Sequence, residues 1–347
     1  MLPATPEPRP PRLTDIVLGT NSPAEFRAAV SRAAELLRAG EIVAIPTETV
    51  YGLAADARNA AAVAKIFAAK GRPAHNPVIV HVAGIEMAQA WVAAWPEAAR
   101  RLAQAFWPGP LTLVLPKAEA IPDVVTSGGP TVGIRWPSHP FMQALLQECG
   151  FPLAAPSANA ANQLSPTTAM HVWRGLGRAV PLIVDGGACP VGLESTVLDL
   201  TTHPPRVLRP GMVQEASLRA VLGCLASPTA GSAPPVARSP GLLPKHYAPR
   251  AKLLALSWEN TADLQAKLVR AAVPARAVSV VAHTHIPSAA GFGGVSVIPH
   301  DPEAFARALY AELHRCDEAG AEWIVVEAVP DEPAWAAIAD RLHRAMG

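Results

Sequence analysis

Residues 42–52 read Ile42-Val43-Ala44-Ile45-Pro46-Thr47-Glu48-Thr49-Val50-Tyr51-Gly52, and residues 70–82 read Lys70-Gly71-Arg72-Pro73-Ala74-His75-Asn76-Pro77-Val78-Ile79-Val80-His81-Val82. The first run is an apolar strand that delivers two threonines and a glutamate into a turn. A helix of small residues carries the chain back, and a basic elbow leads into a second apolar strand with a histidine near its end. Polar turns after strand ends are where open α/β sheets bind ligands. The question this stretch poses is whether it holds an anion, and which.

Working outward, Ser22-Pro23-Ala24-Glu25 is a capping box with proline at the first helical position. Phe26, Val30, Ala33, Ala34 and Leu37 recur at helical spacing until Gly40 closes the helix. The pattern predicts strands near 41–46 and 77–82 around a helix near 59–69, then a helical stretch over 84–106 interrupted at Pro96. Trp107-Pro108-Gly109-Pro110 is a rigid turn ahead of a strand over 111–115. Thr131-Val132-Gly133-Ile134-Arg135 reads as a strand closing on arginine, followed by a helix over 138–149. Pro152 to Ala155 leads into Pro156-Ser157-Ala158-Asn159, Ser165-Pro166-Thr167 reads as a helix start, and strands follow near 180–185, 195–200 and 205–209. Alternating strands and helices predict an α/β fold, with a mixed sheet because several connections are too short for parallel crossovers.

From Ala226 to Pro249 the composition turns to Ser, Pro and Gly, which reads as a linker. Beyond it, strands near 251–257, 277–282, 294–298 and 322–328 alternate with helices over 259–272, 302–318 and 332–346. That pattern predicts a smaller, Rossmann-like doubly wound domain, although GxGxxG is absent. The expected division is a disordered tail over 1–13, an α/β domain over 14–225, a linker over 226–249 and a C-terminal α/β domain over 250–347.

A chain of 347 residues is long for one core. Half its residues are hydrophobic and 16% charged, which suits compact domains. A net charge of +1 gives no global field for nucleic acid, so a phosphate site must be local. With 5% aromatics and no interleaved basic residues, an extended nucleic-acid groove is not supported. Cys149, Cys189, Cys224 and Cys316 lack CxxC spacing, which argues against disulfides or zinc. His283-Thr284-His285 is the nearest metal pattern and reads as a solvated loop. The Pro-rich N-terminus has no apolar signal core, and no run approaches the ~20 apolar residues of a membrane span, so a cytoplasmic protein is expected.

Without a P-loop motif, any phosphate chemistry must come from separate polar clusters, each just after an apolar strand. Lys70, Arg72 and Asn76 form one, Thr131 and Arg135 bracket another, and Ser157, Asn159 and Ser165 make a third. Ser195 with Thr196, and Arg209-Pro210-Gly211, complete the set. Arginine forks and hydroxyls can hold a polyphosphate without a glycine loop. Each residue also has a plainer explanation: Lys70 and Arg72 as macrodipole compensation, Ser157 and Ser165 as helix caps, Thr47 and Thr49 as strand-end turns, His81 as a core histidine. Arg135 is the exception, because an arginine closing an apolar strand needs a buried partner.

Taken together and in order, Pro46 to Leu53, Lys70-Gly71-Arg72-Pro73, Trp107 to Thr112, Ala155 to Asn159 and Glu194-Ser195-Thr196-Val197 resemble the YrdC-like threonylcarbamoyl-AMP synthases. Ser239-Pro240-Gly241 and His246-Tyr247-Ala248-Pro249 are similar to the linker of the long form, which carries an extra C-terminal domain. The resemblance implies a YrdC-like twisted mixed open sheet. It implies a nucleotidyltransferase that condenses L-threonine, bicarbonate (or CO2) and ATP, with Mg2+, into threonylcarbamoyl-AMP, and a separate complex that transfers the group to tRNA. It further implies that Thr47, His81, Arg135, Ala155 and Ser195 hold threonine. Lys70, Arg72, Asn76, Thr131, Ser157, Asn159, Ser165, Arg209 and Tyr247 would hold ATP, with Lys70, Arg72 and Arg209 neutralising charge, Mg2+ riding on the phosphates and residues 239–249 acting as a lid. Ala161-Asn162 stands where the family has Ser-Gly, and asparagine tolerates positive φ. Two alternatives remain at this point: a carbamoyl-adenylate former of metal-centre maturation, and a non-catalytic RNA-binding module.

Overall fold

The computed structural model describes residues 16–72, 76–226 and 247–346. The expected tail and nearly all of the expected linker lie outside the described residues. Ten strands make the larger sheet: β1 (Val17–Gly19), β2 (Val43–Ile45), β3 (Gly52–Asp56), β4 (Val80–His81), β5 (Leu111–Pro116), β6 (Thr131–Arg135), β7 (Leu153–Ala154), β8 (Ile183–Asp185), β9 (Thr196–Asp199) and β10 (Arg206–Arg209). Their order is β1-β8-β2-β3-β7-β4-β6-β5-β9-β10. The sheet is mixed: β2 to β3, joined by a short turn, is antiparallel, whereas β4 and β6 are parallel, with His81 opposite Arg135.

A smaller all-parallel sheet has the order β11-β14-β12-β13, from β11 (Lys252–Leu256), β12 (Val278–Ala282), β13 (Gly294–Val297) and β14 (Trp323–Glu327). Its central strands are Val- and Ile-rich and buried, as helices on both faces require.

The local signals mostly act as read. Ser22 caps the Pro23–Arg38 helix, its hydroxyl accepting from the Glu25 N–H while the Glu25 carboxylate returns to the Ser22 N–H. Asn59 caps Ala60–Lys70, and Gly71 ends it at φ 59°. Two differences are physical. Strand β3 (Gly-Leu-Ala-Ala-Asp) has no β-branched residue and forms because both its neighbours, β2 and β7, pair with it. The helix expected to start at Ser165 begins instead at Ala169, where Thr168 accepts from the His171 N–H and serves as the cap.

The two sheets share apolar packing. Val50, Leu164 and Leu193 sit in one cluster with Phe305, Leu309 and Ile338 of the smaller domain. Gly192 is required there, since a Cβ would lie 2.5 Å from the Arg307 Cα. Arg307 Nε donates to the Pro190 carbonyl at 2.8 Å, and His171 stacks on His314 at 3.9 Å. Among the described residues, no helix is long and apolar enough to cross a membrane.

Candidate active site

The cavity lies over the strands β3, β7, β4 and β6, in the middle of the larger sheet. The space between its walls, including the part open to solvent, is about 490 Å³. Its wall combines the turn after β2, the ends of β4 and β6, the loop after β7, the approach to β9 and the end of β10. Of the residues singled out in the sequence, Thr47, Arg72, His81, Arg135, Ala155, Ser157, Ser195, Arg209 and Tyr247 line it. Lys70, Asn76, Thr131, Asn159 and Ser165 are not among its lining residues.

Arg135 has the buried partner that its position demands. Its Nη2 lies 2.6 Å from Glu48 Oε1, Nη1 donates to Thr49 Oγ1 at 3.0 Å, and Nε donates to the Gly109 carbonyl at 3.1 Å. Burial raises the Glu48 pKa, but the Arg135 guanidinium outweighs it and holds the carboxyl below its usual range. Gly109 can present its carbonyl so closely because it lacks a Cβ, which would sit 2.4 Å from the Phe106 carbonyl oxygen. Thr47 Oγ1 donates to the Val50 carbonyl at 2.6 Å and lies 2.9 Å from Thr49 Oγ1, so the turn holds itself in shape.

His81 is 3% exposed, and burial with the nearby Arg135 charge pushes its pKa down to about 3. It is therefore a neutral imidazole near pH 7. Its Nδ1 has no hydrogen-bond partner among the described residues, and the same holds for Arg72 Nε. Buried polar atoms are rarely left unpaired without a reason, and here both belong to side chains that line the cavity.

Arg72 donates Nη2 to the Asn76 and Pro77 carbonyls at 3.1 and 2.9 Å. Burial lowers its pKa to about 10, which leaves it cationic near neutrality. Lys70 is buried one turn away and donates to the Ser157 and Asn159 carbonyls. Burial, and then Arg72, pushes its pKa well down. Lys70 thus holds the Ser157-Ala158-Asn159 loop. Asn159 Nδ2 stitches the same loop to the Gln163 carbonyl at 2.7 Å. Thr131 stands at the far end of β6, about 13 Å along the strand from Arg135 at the usual rise per residue.

On the other side, Arg209 donates Nε and Nη2 to the Ser195 carbonyl at 3.1 and 2.9 Å, and Nη2 to Ser195 Oγ at 3.2 Å. Ser195 Oγ also meets Thr112 Oγ1 at 2.8 Å. Gly211 lets this turn close, because a Cβ there would lie 2.4 Å from the Thr196 nitrogen. Tyr247, 1% exposed, reaches the cavity wall, where its hydroxyl accepts from Arg209 Nη1 at 3.3 Å. The chain returning there is pinned by the Ala248 N–H to the Asn162 carbonyl at 2.9 Å, with Asn162 at φ 65°. Asn162 therefore takes up a left-handed turn, which asparagine tolerates better than most residues.

Sequence reading missed Glu48, Thr49 and Glu194 as parts of the site. Glu48 was findable: the partner that Arg135 requires had to be an acid near a strand end, and Glu48 lies inside the opening stretch. Ser165 was read as a ligand or a cap, yet its hydroxyl donates to Glu194 Oε1 at 2.5 Å. Glu194 lines the cavity from the residue before Ser195; it stood in the quoted Glu194-Ser195-Thr196-Val197 motif but was given no role there.

Fold and cavity define an α/β domain whose buried arginines and hydroxyls meet over the middle of the sheet, closed in by a second domain. A family model described as "Telomere recombination" (Sua5_yciO_yrdC) matches residues 35–211, and one described as "Threonylcarbamoyl-AMP synthase, C-terminal domain" matches 213–347. The chain belongs to the Sua5/YciO/YrdC family, in the form that carries the Sua5 C-terminal domain. It is similar to the threonylcarbamoyl-AMP synthase of Pyrococcus abyssi, 38% identical over 91% of this chain and 93% of that one. It is also similar to the threonylcarbamoyl-AMP synthase of Bacillus subtilis, 40% identical over 95% of each chain. The crystal structure of P. abyssi Sua5 complexed with L-threonine superposes with a TM-score of 0.85 at 36% identity, covering 96% of this chain and 97% of that one.

Proposed function

We infer that the protein is an L-threonylcarbamoyladenylate synthase, a nucleotidyltransferase that condenses L-threonine, bicarbonate or CO2 and ATP into threonylcarbamoyl-AMP and pyrophosphate. The product serves threonylcarbamoyl modification of the adenosine beside the tRNA anticodon, through a separate transfer complex. The observation that carries the reading is the meeting of Arg72, Arg135, Arg209, His81 and Thr47 in one cavity, in a chain that matches named synthases over more than nine-tenths of its length.

We assign Thr47, His81, Arg135, the Ala155 backbone and Ser195 to threonine and its carbamate. Arg135 offers a fork to the amino-acid carboxylate, and neutral His81 with the hydroxyls can distinguish a substrate hydroxyl from a methyl group. Arg72, Arg209, Ser157 and Tyr247 take ATP. Lys70 and Asn159 support this side by holding the Ser157 loop, Asn76 by holding Arg72, and Ser165 by holding Glu194. Thr131 contributes only where ATP extends past the cavity.

In the reaction the threonine nitrogen bonds to the carbon of CO2 and loses a proton; starting from bicarbonate, a C–O bond of the bicarbonate breaks as well and its oxygen leaves as water. A carbamate oxygen then attacks the α-phosphorus, and the bond to pyrophosphate breaks, with the electron pair leaving on the pyrophosphate oxygen. Such a step needs alignment and charge neutralisation rather than a protein nucleophile. Arg72 and Arg209 neutralise, and the buried Tyr247 excludes water from a labile carbamate. Mg2+ fits as a companion of the ATP phosphates: Glu194, the carboxylate among the cavity's described lining residues, is tied to Arg341. A cytoplasmic setting suits these substrates.

Incubation with ATP, L-threonine and 13C-bicarbonate tests the reading. Mass spectrometry should find one labelled carbon in a threonine-containing adenylate. Tight tRNA binding without any labelled adenylate would favour the non-catalytic RNA-binding alternative.

A further inference from the structure

The Pro302–Glu318 and Ala336–Met346 helices of the smaller domain send two fully buried polar side chains, Tyr310 and Arg341, to the back of the cavity wall. Arg341 Nε donates to Glu194 Oε2 at 2.7 Å, Nη2 to the Pro210 carbonyl at 3.0 Å, and Nη1 to Asp340 Oδ2 at 2.6 Å. The Tyr310 hydroxyl lies 3.3 Å from Glu194 Oε2 and 3.4 Å from Oε1, while Ser165 Oγ occupies Oε1 at 2.5 Å. The Arg341 guanidinium carbon stands 5.4 Å from the centre of the Tyr247 ring. One arginine therefore touches the carboxylate that lines the cavity, the turn directly after Arg209, and the tyrosine that closes over Arg209.

The charges explain why such a contact is needed. Glu194 precedes Ser195, whose carbonyl and hydroxyl receive the Arg209 guanidinium, so a buried carboxylate sits beside a cation of the phosphate side. Burial raises the Glu194 pKa, but Arg341 first and Arg209 second outweigh it, so the group stays ionised. An ionised carboxylate without its own partner would turn to Arg209 and compete with the ATP phosphates for it.

We propose that Arg341 is a positioning residue for ATP: it engages Glu194 so that the carboxylate does not neutralise Arg209, and it fixes the Arg209-Pro210 turn and the Tyr247 ring in place. The inference rests on the synthase reading above, and it gives the smaller domain an indirect part in ATP binding through a single buried side chain. Arg341 reaches the substrate only through the groups it holds.

The test compares the full-length protein with Arg341→Met, Glu194→Gln and the double variant Arg341→Met/Glu194→Gln. Calorimetric titration with a non-hydrolysable ATP analogue is read beside the KM values for ATP and threonine. Arg341→Met should weaken ATP binding about tenfold or more while the threonine KM changes less than about threefold. Adding Glu194→Gln should restore most of the lost ATP affinity, because no stray carboxylate then remains. A merely structural role would raise both KM values together and show no rescue, and either result overturns the proposal, as does unchanged ATP affinity in Arg341→Met. If Arg341→Met does not fold, the double variant decides alone, since a buried pair removed as a unit is commonly tolerated: ATP affinity within about tenfold of wild type supports the proposal, and a greater loss overturns it. Because affinity is read without turnover, a wild-type protein that makes no adenylate refutes the synthase reading separately from this one.

Discussion

Replacing Glu48 by glutamine leaves the shape of the site and removes the charge that faces Arg135. At 2.6 Å and an effective dielectric of 20, the two charges attract by about 6 kcal/mol before desolvation is counted. Breaking one side of such a buried pair costs about 3–5 kcal/mol. Arg135 keeps Thr49 Oγ1 and the Gly109 carbonyl as acceptors, so the low end, about 3 kcal/mol, applies. For a domain of this size, that lowers Tm by about 6–12 °C. The acid limb supplies a second signature. The folded-state pKa of Glu48 is depressed, so its contribution is present above the unfolded value of 4.5 and disappears as pH falls toward the lower folded value. Glu48→Gln should therefore lose stability less steeply than wild type below pH 4.5. Threonine provides a third, since its carboxylate would supply the missing anion and raise the Tm of the variant more than that of wild type. Scanning calorimetry across pH, with and without L-threonine, measures all three. A Tm within about 2 °C of wild type, with equal threonine increments, would refute the claim that this pair anchors the threonine side.

Three further outcomes follow from the same geometry. Arg72→Ala should weaken ATP binding by at least about tenfold and disturb threonine affinity less, as separate titrations would show; a larger loss for threonine contradicts the division of the cavity. Tyr247→Ala removes a buried ring and the acceptor at Arg209 Nη1, and should cut ATP affinity and adenylate yield about tenfold, read by titration and product assay. Because His81 takes up a proton only near pH 3 when folded but near 6.5 when unfolded, it should stay neutral through the assay range and cost stability as pH drops through that window. Histidine NMR showing His81 titrating near 6.5 would contradict this.

The fold was legible where periodicity and punctuation agreed. The Ser22 capping box, the Gly40 stop and the alternating pattern after residue 250 each specify a local structure that packing does not override. Strand β3 was not legible, because Gly-Leu-Ala-Ala-Asp has little preference for a strand until β2 and β7 flank it. In the site, residues that follow apolar strands were found by their position. Those that act through a distant partner were not: Ser165 meets Glu194 across 29 residues and Glu194 meets Arg341 across 147, distances at which a single sequence carries no pairing signal. Lys70 shows the opposite case, a cation noted for its charge whose ammonium is taken up by the carbonyls of the Ser157 loop.

The central claim is that one cavity brings threonine, a one-carbon acid and ATP together. Pyrophosphate release measured with each substrate omitted in turn tests it most directly. The account predicts release only when L-threonine, bicarbonate and ATP are all present, in a one-to-one ratio with threonylcarbamoyl-AMP. Release that proceeds equally without threonine, or no release from folded protein with all three supplied, would contradict it.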